Sequence, residues 1–139
     1  MYSSTLCLLC AILLIESGFA EAGMDVAYYN KGNIFYQQRE FNDAINNYKE
    51  ALNINPNYAE AWYNKGNALM NLSTNNESNY YEAIDAFEKA IVNGCNQSAW
   101  CADAWKNKGI AYGKVNNTTG AEDALAHSKW LRNNSKTNS

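Results

Sequence analysis

Proline and histidine are almost missing from this 139-residue chain, which has one of each. With only Pro56 to break a helix, the chain does not resemble a turn-rich sheet protein, and helices are the default expectation. His127 stands beside Ser128 with no helical Asp or Cys placed to orient it, which makes it a poor general base. No Gly-rich phosphate loop follows a strand-like segment. Carboxylates such as Glu50, Asp85 and Glu88 read as solvated faces or as partners for lysines at helical spacing. The sequence therefore points away from an enzyme and calls for no cofactor and no metal. Charge is scarce as well, with 11 Lys and Arg against 14 Asp and Glu. That balance leaves no basic footprint for nucleic acid and little to steer the chain to a charged membrane.

Long apolar runs are also lacking. The longest, Leu6–Ile15 (LCLLCAILLI), holds ten residues, about 15 Å of helix, or roughly half of a ~30 Å hydrocarbon core. Small residues follow at 18–20 (GFA) and 20–22 (AEA). Residues 1–22 are therefore expected to be a secretory signal peptide cleaved near Ala20 or Ala22. The MYSST start has no Lys or Arg, so a retained anchor is the alternative. The expected location is secreted or extracytoplasmic, with no membrane span in the mature chain.

Four cysteines are present, two of them in the leader. Cys95 and Cys101 remain, as a disulfide or as two thiols. No histidine lies near enough to suggest zinc, and the leader favours the disulfide. Asparagine is the surplus residue, at 22. Six Asn-x-Ser/Thr triplets start at Asn71, Asn76, Asn96, Asn116, Asn117 and Asn133. All are expected in inserted loops or in a polar, disordered tail over 133–139, where glycans could attach.

What the chain has in quantity is repetition. Asn-Lys-Gly recurs at 30–32, 64–66 and 107–109, and Tyr28, Trp62 and Trp105 each stand four residues before a glycine. Phe35, Leu69 and Tyr112 each stand three after it. Phe41–Leu52 (FNDAINNYKEAL) is answered by Tyr80–Ile91 (YYEAIDAFEKAI) and, more loosely, by Gly120–Leu131 (GAEDALAHSKWL), with Ala124 aligned to Ala44 and Ala83. Each copy reads as two helices. Tyr28, Lys31, Gly32 and Phe35 share one face, as do Phe41, Ala44, Ile45, Tyr48, Ala51 and Leu52. A glycine inside a helix costs about 1 kcal/mol relative to alanine, so each is expected to lie where a neighbouring ring or backbone fills the space. Polar insertions fall at 71–79, 93–101 and 114–120.

The set in register resembles the tetratricopeptide repeat, over 25–58, 59–97 and 102–132 within residues 23–132. The resemblance implies an all-α solenoid of three stacked antiparallel helix pairs with no sheet. It implies a concave groove for a protein or peptide, lined by Tyr29, Asn33, Tyr36, Tyr63, Asn67, Met70, Lys106 and Ile110, with Gly113 beyond them. Some members of the family grip a carboxylate with two lysines, two asparagines and an arginine. Asn33, Asn67 and Lys106 fall at three of those positions, and Tyr29 and Ile110 replace two cations. Leucine is usual where Lys31, Lys65 and Lys108 stand. The family's polar capping helix is not evident, so self-assembly through an uncapped end and Trp130 is the alternative to peptide binding.

Overall fold

The computed structural model describes residues 23–72, 76–95 and 99–135. The leader, Asn96 and residues 136–139 lie outside the described residues. Six α-helices follow in order: α1 (Met24–Gln37), α2 (Phe41–Ile54), α3 (Ala59–Leu72), α4 (Glu77–Gly94), α5 (Ala99–Lys114) and α6 (Thr118–Ser135). They form three antiparallel pairs, α1 with α2, α3 with α4 and α5 with α6, stacked through α2 against α3 and α4 against α5. No strand occurs among the described residues. The first helices also approach one another, α1 with α3 and α3 with α5, so the stack curves toward them and their exposed side is the inner wall.

Helices of 14 to 18 residues are marginal alone and gain stability by packing. The packing is centred on rings. Tyr48 and Phe87 are the largest fully buried side chains, and burying each contributes about 1.5–3 kcal/mol. A Cβ on Gly32 would lie 2.6 Å from the Tyr48 ring, and one on Gly66 would lie 2.7 Å from Phe87. Gly32 and Gly66 thus make room for the partner helix's aromatic ring, as the sequence predicts, while Gly109 meets a leucine and a backbone carbonyl.

The turns repeat too. In 38–40 and 115–117 the middle residue is left-handed, Arg39 at φ 64° and Asn116 at φ 58°. The third residue then donates back into the preceding helix, Glu40 N to Phe35 O and Asn117 N to Tyr112 O, both at 2.9 Å. Two equal turns leave no room for the insertion expected at 114–120. The three extra residues separating Ala124 from the Ala44 register are therefore not a loop. Leu125, not Ser128, is what meets Gly109: its Cγ lies 2.9 Å from the Cβ position. Leu125 is the counterpart of Tyr48 and Phe87, and Ala121 that of Ala44 and Ala83.

This correction moves every residue of α6 relative to the expectation. His127 takes the place of Lys89, and each stacks on the tryptophan of its own pair. Lys89 Nζ is 4.6 Å from the Trp62 ring centre, and His127 is 4.4 Å from Trp105. Trp130 corresponds to Asn53 and Val92, not to Glu50 and Lys89. Glu122 and Lys129 correspond to Ile45 and Leu52 of pair one and to Ile84 and Ile91 of pair two, the residues turned toward the following pair. The last face of the described stack therefore carries Glu122 and Lys129 beside Leu125, 43% exposed where its counterpart Tyr48 is fully buried. The helix also runs to Ser135, so residues 133–135 of the tail expected to be disordered are helical, and the rest of that tail lies outside the described residues.

Each junction between pairs has its own tie. At the first, the Trp62 indole donates to the Pro56 carbonyl at 2.8 Å. At the second, a Cys95–Cys101 disulfide joins the end of α4 to the first turn of α5, with Cα atoms 5.2 Å apart.

Candidate functional site

The inner wall is built on α1, α3 and α5, and half of its side chains also pack against the core. Tyr29, Tyr36, Tyr63 and Met70 pack against the cluster that contains Tyr48, Leu69 and Phe87. Tyr29 lies 4.8 Å from the Tyr58 ring, and Tyr63 lies 5.5 Å from Trp100 and 6.0 Å from Phe87. Only part of each ring faces outward, so a ligand would meet rigid surfaces. Burial, first of all, raises the Tyr36 phenol above its usual range, against an opposing hydrogen bond from Asn71.

The wall amides are fixed by residues that the sequence reading passed over. Asn33 Oδ1 accepts from Tyr48 Oη at 2.8 Å and from Asn64 Nδ2 at 2.9 Å. Asn64 also donates to Tyr29 Oη at 3.1 Å. One pair further along, Asn107 Nδ2 donates to Asn67 Oδ1 at 2.9 Å. Asn64 and Asn107 are the asparagines of the repeated Asn-Lys-Gly triplet, so that triplet was the available signal. Their common role is to hold the oxygen of an asparagine in the preceding pair. The relay stops at Ile110, which stands where Asn33 and Asn67 offer that oxygen.

Asn33 Oδ1 has both lone pairs engaged and retains its N–H donors, while Asn67 Oδ1, with one bond, keeps one lone pair beside its N–H donors. Lys106 and Ile110 are exposed at the far end of the wall, and Gly113 has nothing within 4 Å of its Cβ position. The expected residues thus fall into two sets. Tyr29, Asn33, Tyr36, Tyr63 and Met70 form one connected surface, while Asn67 is tied to the third pair and Lys106 and Ile110 form an open end.

The lysines behind the wall differ from one junction to the next. Lys108 is buried, between 5.0 and 5.8 Å from the Trp105 and Tyr112 ring centres, and pairs with Glu88 at 3.0 Å. That carboxylate comes from the previous pair, not from helical spacing as expected. Glu88 corresponds to Lys49, so Lys65 has a lysine where Lys108 has its partner. Burial first, and then repulsion from Lys49, lowers the Lys65 pKa.

The sequons are not all in loops. Asn71 lies on α3, where its amide donates to Tyr36 Oη at 3.0 Å and to Asn67 O at 2.8 Å. Asn133 lies on α6. Asn76 caps α4 by accepting from Ser78 N, and Asn117 Oδ1 accepts from Gly120 N at 2.9 Å. Asn116 is exposed in its turn. Among the described residues no helix is long and apolar enough to cross a membrane, and no group of three His, Cys, Asp or Glu could hold a metal ion.

Stacked helix pairs with a side-chain-lined inner wall define an α-solenoid repeat protein. Residues 27–73 match the family model described as TPR repeat. Over 69 residues the chain is 38% identical to the Hsp70-Hsp90 organising protein of Plasmodium falciparum (isolate 3D7). That match covers 50% of this chain and 11% of the relative. A crystal structure of MamA superposes with a TM-score of 0.71 at 22% identity, over 81% of this chain and 61% of that one. The second TPR of Spaghetti (RPAP3), bound to the HSP90 peptide SRMEEVD, superposes with a TM-score of 0.69 at 18% identity, over 81% and 97%. The first half of the chain is thus similar in sequence to tetratricopeptide repeats, and all three described helix pairs share their fold.

Proposed function

We propose that the inner wall holds an extended peptide or protein segment, and that the chain is an exported, non-enzymatic binding module. The observation that carries the reading is the amide relay. Tyr48 and Asn64 fill the oxygen of Asn33, and Asn107 engages that of Asn67, so both wall asparagines keep N–H groups suited to backbone carbonyls of a bound segment. Tyr29, Tyr36, Tyr63 and Met70 supply apolar contact beside those donors. Their engagement in the core reduces the ordering cost of binding. Lys106 is the only cation among the wall residues, since Tyr29 and Ile110 stand where a carboxylate-gripping set would need charge. The wall therefore favours a neutral segment over an acidic one. Export rests on the apolar leader, with the disulfide and the sequons in keeping with it.

A displayed library of random peptides, selected on the purified chain, tests this reading, with SRMEEVD as the acidic probe. Recovered peptides should bind the chain, lose at least about tenfold in affinity on Tyr63→Ala with Asn67→Ala, and outcompete SRMEEVD. Recovered peptides whose affinity is unchanged by the double substitution would place binding elsewhere and defeat the proposal.

A further inference from the structure

We propose that the chain pairs with a second copy of itself through the outer face of α6, in a closed two-fold dimer. This does not depend on the inner-wall reading, because the two surfaces lie on different helices. Asp123, Ala126, His127 and Trp130 form one stripe of α6 and line a wide, shallow cleft. The corresponding stripes of the other pairs are Asn46, Lys49, Glu50 and Asn53 on α2, and Asp85, Glu88, Lys89 and Val92 on α4. Only the third pair replaces the charged centre of that stripe with alanine and aromatic rings. Trp130 is 60% exposed, and neither its indole N–H nor the Asp123 carboxylate has a partner among the described residues. His127 is held between two tryptophans, 4.4 Å from Trp105 and 6.0 Å from Trp130, so the surface is preordered.

The spacing is self-complementary. Asp123 and Trp130 lie two helical turns apart on one face, about 10.5 Å along the axis, with Ala126 and His127 midway. Two α6 helices crossing antiparallel about that midpoint place Trp130 opposite the partner's Asp123, and the reverse, as a two-fold interface requires. Each indole can then donate to a carboxylate that has no other partner, and the small Ala126 allows close approach at the centre. Registers that centre the axis on Asp123 set like charges face to face. End-to-end stacking is the competing arrangement. It would bury Glu122 and Lys129, and it would set Asn30 of the next copy, counterpart of Asn64 and Asn107, against Ile110, which offers no oxygen.

Analytical ultracentrifugation of the purified chain, from low micromolar to near-millimolar concentration, tests the proposal. The mass should rise to twice that of the chain and stop there. Trp130→Ala and Ala126→Glu should each weaken association by at least about tenfold, with helical content unchanged by circular dichroism. Tyr63→Ala with Asn67→Ala should leave association as it was, which separates this proposal from the inner-wall reading. A monomer at every concentration overturns it, as does growth beyond the dimer, or association that both α6 substitutions leave intact. If Trp130→Ala loses helical content, Ala126→Glu decides the matter alone.

Discussion

The edge of the Phe87 ring lies against Gly66, with Cε1 2.7 Å from the point a Cβ would occupy. Phe87 is fully buried, so the ring cannot step aside as a surface side chain would. Gly66→Ala should therefore lower stability, because overpacking of about 1–3 kcal/mol outweighs about 1 kcal/mol gained in helix propensity. Gly113→Ala, with open space around it, should raise stability by about 0.5–1 kcal/mol. Gly109→Ala should fall between them: Leu125 is 43% exposed, but its Cγ lies 2.9 Å and the Ala121 backbone carbonyl 3.1 Å from the Cβ position. Urea midpoints of the three variants, in that order, check the account.

Lys49→Glu should stabilise the chain. It would give Lys65 the carboxylate that Glu88 gives Lys108, and would remove a repulsion that depresses the Lys65 pKa. The expected gain is about 0.2–1 kcal/mol, seen as a higher melting temperature that shrinks in high salt.

Tyr48 sets an alkaline limit. Burial, with a smaller effect from Tyr29 and Tyr36, raises its phenol far above the ordinary value of 10.0. The folded state then keeps a proton that the unfolded chain releases, so this contribution is complete below about pH 10 and is lost as pH rises through the native value. Lys65 acts in the opposite sense, since its lowered pKa favours the folded state as pH approaches the value for a free lysine. Tyr48→Phe should cost about 0.5–1.5 kcal/mol near neutral pH, through the lost bond to Asn33. It should also flatten the fall in stability above about pH 10. Urea midpoints at the two pH values measure both effects.

Removing the disulfide should cost about 2.4 kcal/mol in the chain-entropy model, given a seven-residue closed loop. Cys95→Ser with Cys101→Ser should show this as a lower urea midpoint. Intact mass spectrometry of the wild-type chain should show two hydrogens fewer than the reduced form. The same spectrum reports whether the leader is removed and whether any sequon carries a glycan.

The architecture was legible because the glycine, the aromatic residues around it and the helical spacing are local signals repeated in step. The third pair departs from the sequence expectation because similarity and geometry diverge there. Ala124-Leu125 looks like Ala44-Ile45, yet the turn at 115–117 has the same length as that at 38–40, so Leu125 reaches the Tyr48 position. Likeness of neighbours placed the register, whereas equality of turns decides it. The wall residues were legible as a set, but their chemistry was not. Whether Asn33 presents an oxygen or an N–H depends on Asn64 and Tyr48, 31 and 15 residues away, and a single repeat carries no trace of that. The sequon at Asn71 suggests a loop, whereas α3 runs to Leu72 and uses the Asn71 amide.

The amide relay also means that selectivity is stored where no guest would touch. A guest demanding an acceptor at Asn33 would have to rotate that amide, break its two bonds and unsettle Asn64 on its Tyr29 anchor. If the inner wall holds a guest as proposed, Asn64, facing sideways into the scaffold, would veto one class of visitor at Asn33 and admit another.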